Sequence, residues 1–168
     1  PHPEGSTDAP LRALIFDSTY NNYRGVILYV RVFDGSLKPG DAVTLANQGS
    51  DYEIAEVGRL VPKMKPTKSL RAGEVGYCIA NIREIDKGAI GDTIIKTGSN
   101  TKPLPGYRPP RSLVFCGVFP AENQGYNALR DALQKLHVND PSFTYEPETS
   151  EALGLGFRCG FLGLLHME

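Results

Sequence analysis

The chain has 168 residues, 40 % of them hydrophobic, with 18 Lys+Arg against 19 Asp+Glu and a formal net charge of −1. This is enough apolar material for one domain or two small ones, and the charge balance excludes the strongly basic body of a histone-like nucleic-acid binder. No apolar run approaches the roughly 18 residues that a membrane-spanning helix needs, and the N-terminus lacks the pattern of a secretory signal.

Residues 1–9 are rich in proline and small polar residues and predict a linker, which indicates an upstream attachment. From Leu11 to Thr97, short runs rich in β-branched and aromatic residues alternate with Gly-, Asn-, Asp- and Pro-containing turns. This pattern without a helical period predicts a small β-barrel or sandwich. The predicted strands are LRALIFDS (11–18), GVILYVRVFD (25–34), DAVTLAN (41–47), YEIAEVGRLV (52–61), EVGYCIANI (74–82) and DTIIKT (92–97).

Residues 98–110 hold four prolines and two glycines and predict the clearest domain boundary. Beyond it we predict a strand over 111–120, a helix over 122–137, strands over 142–148 and 153–163, and a helix that begins in LLHME. This order is the ferredoxin-like plan cut short, with one helix and one strand needed to complete it, so we expect an internal fragment. The helix should bury one face, formed by Leu129, Ala132, Leu133 and Leu136.

Catalytic and cofactor motifs are not found in this sequence. There is no GxxxxGK[ST] phosphate loop and no GxSxG nucleophile elbow, and the glycines of GLGFRCG (154–160) lie within a strand-like run. Cys78, Cys116 and Cys159 are far apart and lack ligand spacing, so we expect reduced, buried thiols and no metal site. We therefore expect no catalysis and no bound cofactor from these residues alone.

A basic segment over 59–71 carries five positive charges and no acidic residue. Pro62 and Pro66 predict a loop or an irregular hairpin arm. Such an arm suits RNA phosphates, since non-specific affinity comes from Lys and Arg against phosphate, but a solvated loop is an equally open interpretation. The candidate RNA-binding residues are Arg59, Lys63, Lys65, Lys68 and Arg71.

A second candidate RNA contact lies in STYNNYRG (18–25), at a strand connection. Tyr20 and Tyr23 have rings that can stack on bases, and Arg24 can bridge phosphates. The alternative is that the rings cover one end of the barrel while the asparagines make the turn.

The stretch RVFDGSLKPGD (31–41) resembles the strand-and-turn signature of the second domain of translational GTPases. Further stretches, above all YEPETS and ALGLGFRCGFLGLLHME, are similar to the elongation factor 4 (LepA) family over essentially the whole chain. The resemblance implies a β-barrel second domain at 10–102, a proline-rich linker at 103–110, and a ferredoxin-like third domain at 111–168 that is incomplete at its C-terminus. A GTPase domain would precede residue 1.

This resemblance implies the ribosome-binding central portion of a translational GTPase, proposed in the family to promote back-translocation or to rescue stalled ribosomes. GTP and Mg²⁺ would bind in the parent's upstream domain, and these residues would contact small-subunit RNA together with the GTPase and C-terminal domains of the same protein. The expected location is the bacterial cytoplasm, with peripheral association at the inner membrane, or an organellar matrix or stroma. The alternative function is a structural spacer without RNA contact.

Overall fold

A computed structural model describes residues 4–82, 90–106, 111–121, 125–140 and 142–168. The chain divides into two compact units, Pro1–Tyr107 and Arg108–Glu168, and each unit has its own sheet. Of the predicted linker at 103–110, residues 107–110 lie outside the described residues.

The first unit is built from antiparallel strands, as its β-branched runs predict. Eight strands form one sheet in the order β5–β4–β10–β1–β2–β9–β6–β7, and β3 pairs with β8. The bounds are β1 Arg12–Asn21, β2 Gly25–Asp34, β3 Ser36–Leu37, β4 Ala42–Leu45, β5 Ser50–Glu53, β6 Glu56–Val61, β7 Lys63–Pro66, β8 Leu70–Arg71, β9 Val75–Ile79 and β10 Thr93–Lys96.

The core of the first unit follows the two-residue period of its strands. On β2, Val26, Leu28, Val30 and Val32 are fully buried on one face. The opposite face of the same strands carries a second, smaller cluster of buried side chains that includes Tyr77, with Met64 of β7 packed against it. This second cluster holds the β6–β7 region against the sheet.

The turn after β2 requires a glycine at position 35. Gly35 has a φ of +71°, and a Cβ there would lie 2.8 Å from the Ala9 carbonyl oxygen and from the backbone of Leu11. Both the left-handed conformation and the close approach exclude a side chain. This explains in physical terms the first glycine of the strand-and-turn signature.

The single strand predicted over 52–61 was wrong, because the structure has two strands there. β5 pairs with β4 and β6 pairs with β9, and the chain changes partner between them. The amide of Ile54 donates to the Asp41 carbonyl, whereas the amide of Ala55 donates to the Ile79 carbonyl. Both halves have strand-like composition, so only the change of partner reveals the break.

The second unit has the predicted order of strand, helix, strand, strand and helix start. Its sheet order is β11–β13–β12, and α1 packs over it with Leu133 against Phe143, Phe157 and Cys159. The bounds are β11 Val114–Val118, α1 Tyr126–Asn139, β12 Thr144–Ser150, β13 Gly154–Phe161 and α2 Leu164–Met167. The expectation of a mainly β chain with an α+β unit is confirmed.

The buried face of α1 differs from the predicted one. Leu133 is buried as expected, but Ala132 and Leu136 are exposed and Val138 is buried instead. The last turn of the helix is held near Phe143, whose carbonyl oxygen lies 2.5 Å from the Nδ1 of His137. Of the predicted helix start, residues 122–124 lie outside the described residues.

The three cysteines are free thiols, and burial differs among them. Cys78 and Cys159 are buried and Cys116 is half-buried. Burial raises the pKa of the Cys78 thiol to about 12 and that of Cys159 to about 11. Both buried thiols are therefore protonated at neutral pH, and the predicted burial holds for these two cysteines but only in part for Cys116. Among the described residues, no helix has the length and apolar content to cross a membrane.

Candidate nucleic-acid interface

The predicted basic segment contains a β-hairpin formed by β6 and β7. Its register places Arg59 opposite Lys65 and Leu60 opposite Met64. Because successive side chains of a strand point to opposite faces, Arg59, Lys63 and Lys65 share one face, and Leu60 and Met64 share the other. All three cations are exposed. The loop prediction was therefore wrong and the hairpin alternative is confirmed in a more regular form.

In the described ranges, no other strand lies beside the outer part of this hairpin, residues 59–65, whose two halves pair with each other. β6 pairs with β9 only over Glu56–Gly58, and it pairs with β7 over Gly58–Val61. β7 is the edge of the sheet in the described residues. The backbone hydrogen-bond ladder to the sheet therefore ends at Gly58, and we call residues 59–65 the basic arm.

Most of the positive charge on and beside the basic arm is not neutralised. Arg59 forms an ion pair with Glu74, and the other oxygen of Glu74 accepts the backbone N–H of Arg71 at 2.8 Å. The remaining cations form no ion pair with any side chain that the structure describes, and all are exposed. They are Lys63, Lys65, Lys68 and Arg71.

The β1–β2 turn is made by Asn21, as one of the two interpretations proposed. Its Oδ1 accepts the backbone N–H groups of Tyr23 at 2.9 Å and Arg24 at 3.1 Å. Gly25 follows with a φ of +72°. The turn leaves Tyr23 98 % exposed, so its ring does not cover the end of the barrel, whereas Tyr20 is half-buried. The Tyr23 ring is free to stack on a ligand.

Arg24 is engaged by an acidic side chain. One guanidinium nitrogen donates to both carboxylate oxygens of Glu56 at 2.7 Å, and the other lies 3.6 Å from the Met64 sulfur. The hydrogen bonds from Arg24 to Glu56 raise the pKa of the guanidinium. Tyr77 donates its hydroxyl to Glu56 at 2.6 Å, and burial together with this bond raises the pKa of Tyr77 to about 12.

A cavity of about 320 Å³ opens beside the same turn. Its tyrosine rings supply a stacking surface, and Asn81 and Arg24 supply hydrogen-bond donors. Asn81 has a φ of +50°, a left-handed conformation that is uncommon outside glycine. The lining residues are Tyr20, Tyr23, Arg24, Gly25, Asn81 and Ile82. Aromatic rings beside polar side chains are the chemistry that contacts an unpaired nucleobase.

The structure brings the β1–β2 turn next to the basic hairpin. The candidate residues of the two segments nevertheless lie on opposite faces of that hairpin. Arg24 contacts the face that carries Met64, whereas Lys63 and Lys65 project from the other face. The sequence analysis missed the residues that contact the candidate RNA-binding side chains or line the cavity beside them. They are Glu56, Met64, Glu74, Tyr77 and Asn81. Glu56 lies 32 positions from Arg24, so no local pattern links the pair.

No metal site accompanies these residues. Nowhere in the described part of the chain does a group of three or more His, Cys, Asp or Glu side chains lie close enough to hold a metal ion. The residues of the candidate interface themselves offer charge, hydrogen bonding and aromatic stacking.

Comparison with known proteins defines the class first. A family model described as elongation factor Tu domain 2 matches residues 25–95, the span of β2 to β10 that carries the basic arm. The first unit is a β-barrel of this translation-factor type. A crystal structure of a protein from Thermus thermophilus matches with a TM-score of 0.67 at 24 % identity, over 95 % of this chain and 23 % of that one.

The full-length relatives are more specific. Elongation factor 4 is 54 % identical in Thermosynechococcus vestitus, 52 % in Geobacillus thermodenitrificans and 49 % in Mycobacterium leprae, in each case over 100 % of this chain. The chain belongs to the elongation factor 4 family, and the resemblance stated from its motifs is confirmed. It spans 26–28 % of the length of these relatives.

Proposed function

We propose that this chain is the ribosome-binding central portion of a translational GTPase and that its barrel docks on RNA of the small subunit. The observation that carries the proposal is the set of four exposed cations on and beside the basic arm that have no acidic partner within the part of the chain that the structure describes. The chain as a whole has a net charge of −1, so these charges are a local feature and do not reflect a basic composition. A protruding, locally cationic hairpin suits the phosphate backbone of folded RNA.

The roles within the interface divide by chemistry. Lys63, Lys65, Lys68 and Arg71 would neutralise phosphates. The exposed ring of Tyr23 and the half-buried ring of Tyr20 would stack on an unpaired base at the cavity, as aromatic side chains do in single-stranded RNA recognition. Arg59 and Arg24, each already paired with a carboxylate, would contribute less charge to RNA than the other cations.

For the whole protein, we propose that GTP and Mg²⁺ are bound by a domain outside this chain. The nucleotide state would then bias the angle of the second unit on the proline-rich segment 103–110, a population shift between two arrangements. Back-translocation or the rescue of stalled ribosomes is the proposed outcome, in the cytoplasm or in an organellar matrix or stroma. A phosphate loop of the form GxxxxGK[ST] in the coding sequence upstream would support the GTPase assignment, and its absence would count against it.

Co-sedimentation of the chain with purified small ribosomal subunits over a salt series tests the RNA contact. Four phosphate contacts predict a slope of log affinity against log salt of about −3 to −4. Replacing Lys63, Lys65 and Lys68 together with Ala should weaken binding and make this slope shallower by about 2–3. The control triple, with Lys38, Lys102 and Lys135 replaced by Ala, removes the same charge from exposed positions elsewhere and should leave the slope nearly unchanged.

An unchanged slope in the arm variant would refute the phosphate contacts of this hairpin. Failure of the intact, folded chain to pellet at any salt concentration would favour the alternative, a structural spacer whose parent makes its ribosome contacts elsewhere.

A further inference from the structure

We infer that Arg24 and Glu56 are positioning residues, whose ion pair fixes the direction of the basic arm, and that Arg24 does not itself bind phosphate. The inference rests on the proposed function, because the arm matters for RNA binding only if it contacts RNA. The mobility of the arm can nevertheless be measured without RNA. It concerns three elements: the β1–β2 turn, the base of β6, and the middle of β7.

The first observation is that the arm has no backbone support of its own. Hydrogen bonding between β6 and β9 ends at Gly58, and among the described residues the segment 59–65 pairs only within itself. An isolated two-stranded hairpin is marginally stable in water and twists readily. The direction of the arm must therefore be set by side-chain contacts at its base.

The second observation is that Arg24 makes such contacts to both strands of the hairpin. It pairs with Glu56 on β6 and contacts the sulfur of Met64 on β7. Glu56 is itself held by the hydroxyl of Tyr77, whose side chain is fully buried in the second cluster. Buried Tyr77 thus holds Glu56, and Glu56 holds Arg24, which contacts both strands of the hairpin.

The third observation is that the arm is braced on both faces. Arg24 and Glu56 lie on the face of Met64, and the Arg59–Glu74 pair lies on the opposite, lysine-bearing face. The two acids leave Arg24 and Arg59 little net charge for RNA, while Lys63 and Lys65, which form no ion pair with any described residue, keep theirs. In this arrangement the lysines are the cations that would bind RNA, and Arg24 and Arg59 are the cations that hold the arm in place.

The Glu56→Gln variant tests whether the ion pair orients the arm or Glu56 only adds negative charge to the surface. The two interpretations predict opposite changes in affinity for small subunits. The variant removes a negative charge, so a purely electrostatic surface would bind small subunits more tightly. If the Arg24–Glu56 pair instead acts as a clamp that holds the arm in one direction, the variant should bind small subunits more weakly. The expected loss is about two- to fivefold, the range for one partly exposed ion pair. Glu53→Gln is the matched control, because it makes the same charge change at an exposed residue of β5, a strand that pairs with β4 and not with the hairpin, and it should not weaken binding.

Salt dependence and a charge swap separate the clamp from a phosphate contact at Arg24. The Arg24→Ala variant should lose affinity with an unchanged salt slope, whereas loss of a phosphate ligand lowers the slope by about 0.7–0.9. The double variant Arg24→Glu with Glu56→Arg rebuilds the pair in reverse and should recover affinity. A direct phosphate ligand predicts no recovery, since the swap places an acid at position 24.

Hydrogen–deuterium exchange of the backbone amides in residues 59–65 measures how readily the arm opens in the absence of ribosomes. Exchange should be faster in Glu56→Gln and return toward the original rate in the swapped double variant, with circular dichroism confirming that each variant is folded. Tighter or unchanged binding by Glu56→Gln together with unchanged exchange would overturn the clamp. If the original chain does not bind small subunits at all, the proposed function fails, and the exchange rates alone decide the clamp.

Discussion

Gly58 is a position where even a methyl side chain should disturb the hairpin. A Cβ added there would lie 2.5 Å from the carbonyl oxygen of Lys65 and 2.5 Å from the ring of Tyr77. Ordinary contact begins near 3.4 Å, so in Gly58→Ala both neighbours would have to retreat by about 1 Å in a packed region. Neither is the flexible end of a side chain, because one is backbone and the other is a fully buried ring.

We expect Gly58→Ala to destabilise the first unit by about 1–3 kcal/mol, the usual cost of inserting a methyl group into a filled site. For a unit of this size, each kcal/mol lowers Tm by about 4–8 °C. The chain has no tryptophan, so urea and thermal unfolding are best followed by far-ultraviolet circular dichroism, with hydrogen exchange assigning the transition to its unit.

The control for this prediction is Gly163→Ala. Gly163 has an extended φ of −177° and open space where a Cβ would stand, so the change should stay within about 0.5 kcal/mol. A Gly58→Ala variant with the original unfolding midpoint and an unchanged denaturant dependence would refute the close approach of Tyr77 and Lys65 to this backbone.

Two further predictions concern the second unit. Partial burial raises the pKa of Asp140, but hydrogen bonds from Ser142 and His166 outweigh it and hold the pKa below its ordinary value. The carboxylate therefore stabilises the fold above its unfolded pKa of about 3.9 and loses this contribution as pH falls through the folded pKa, so the stability deficit of Asp140→Asn in urea titrations should shrink below about pH 4. Phe157→Ala should cost about 3–5 kcal/mol, because its ring is buried in the core, whereas Phe115→Ala, at a ring 51 % exposed, should cost about 1 kcal/mol or less by the same unfolding assay.

The strands were predictable because their composition and their turns agree. The run GVILYVRVFD is bounded by turn residues on both sides, and its strand has the predicted limits, Gly25–Asp34. The break between β5 and β6 was not predictable, since both halves favour strand and only a change of partner divides them. The same limit applies to α1, where the periodicity identified the helix but did not show that Val138 rather than Leu136 is buried.

The candidate site shows the same limit more sharply. A count of charges found the basic segment, but the sequence could not say which cations are already paired. Arg24 meets Glu56 across 32 positions and Arg59 meets Glu74 across 15, and both pairs exist only because β9 lies beside β6. Charge density is a local property of the sequence, whereas free charge is a property of the fold.

The face on which the free charge appears is set by strand register. On β7, Lys63 and Lys65 alternate with Met64, so a slip of one residue would bring both lysines to the face where Arg24 lies and would expose Met64. Gly58 opposes this slip because the Tyr77 ring and the Lys65 carbonyl fill the space beside it. The packing that stabilises the hairpin therefore also decides that its lysines point away from the pair that holds it.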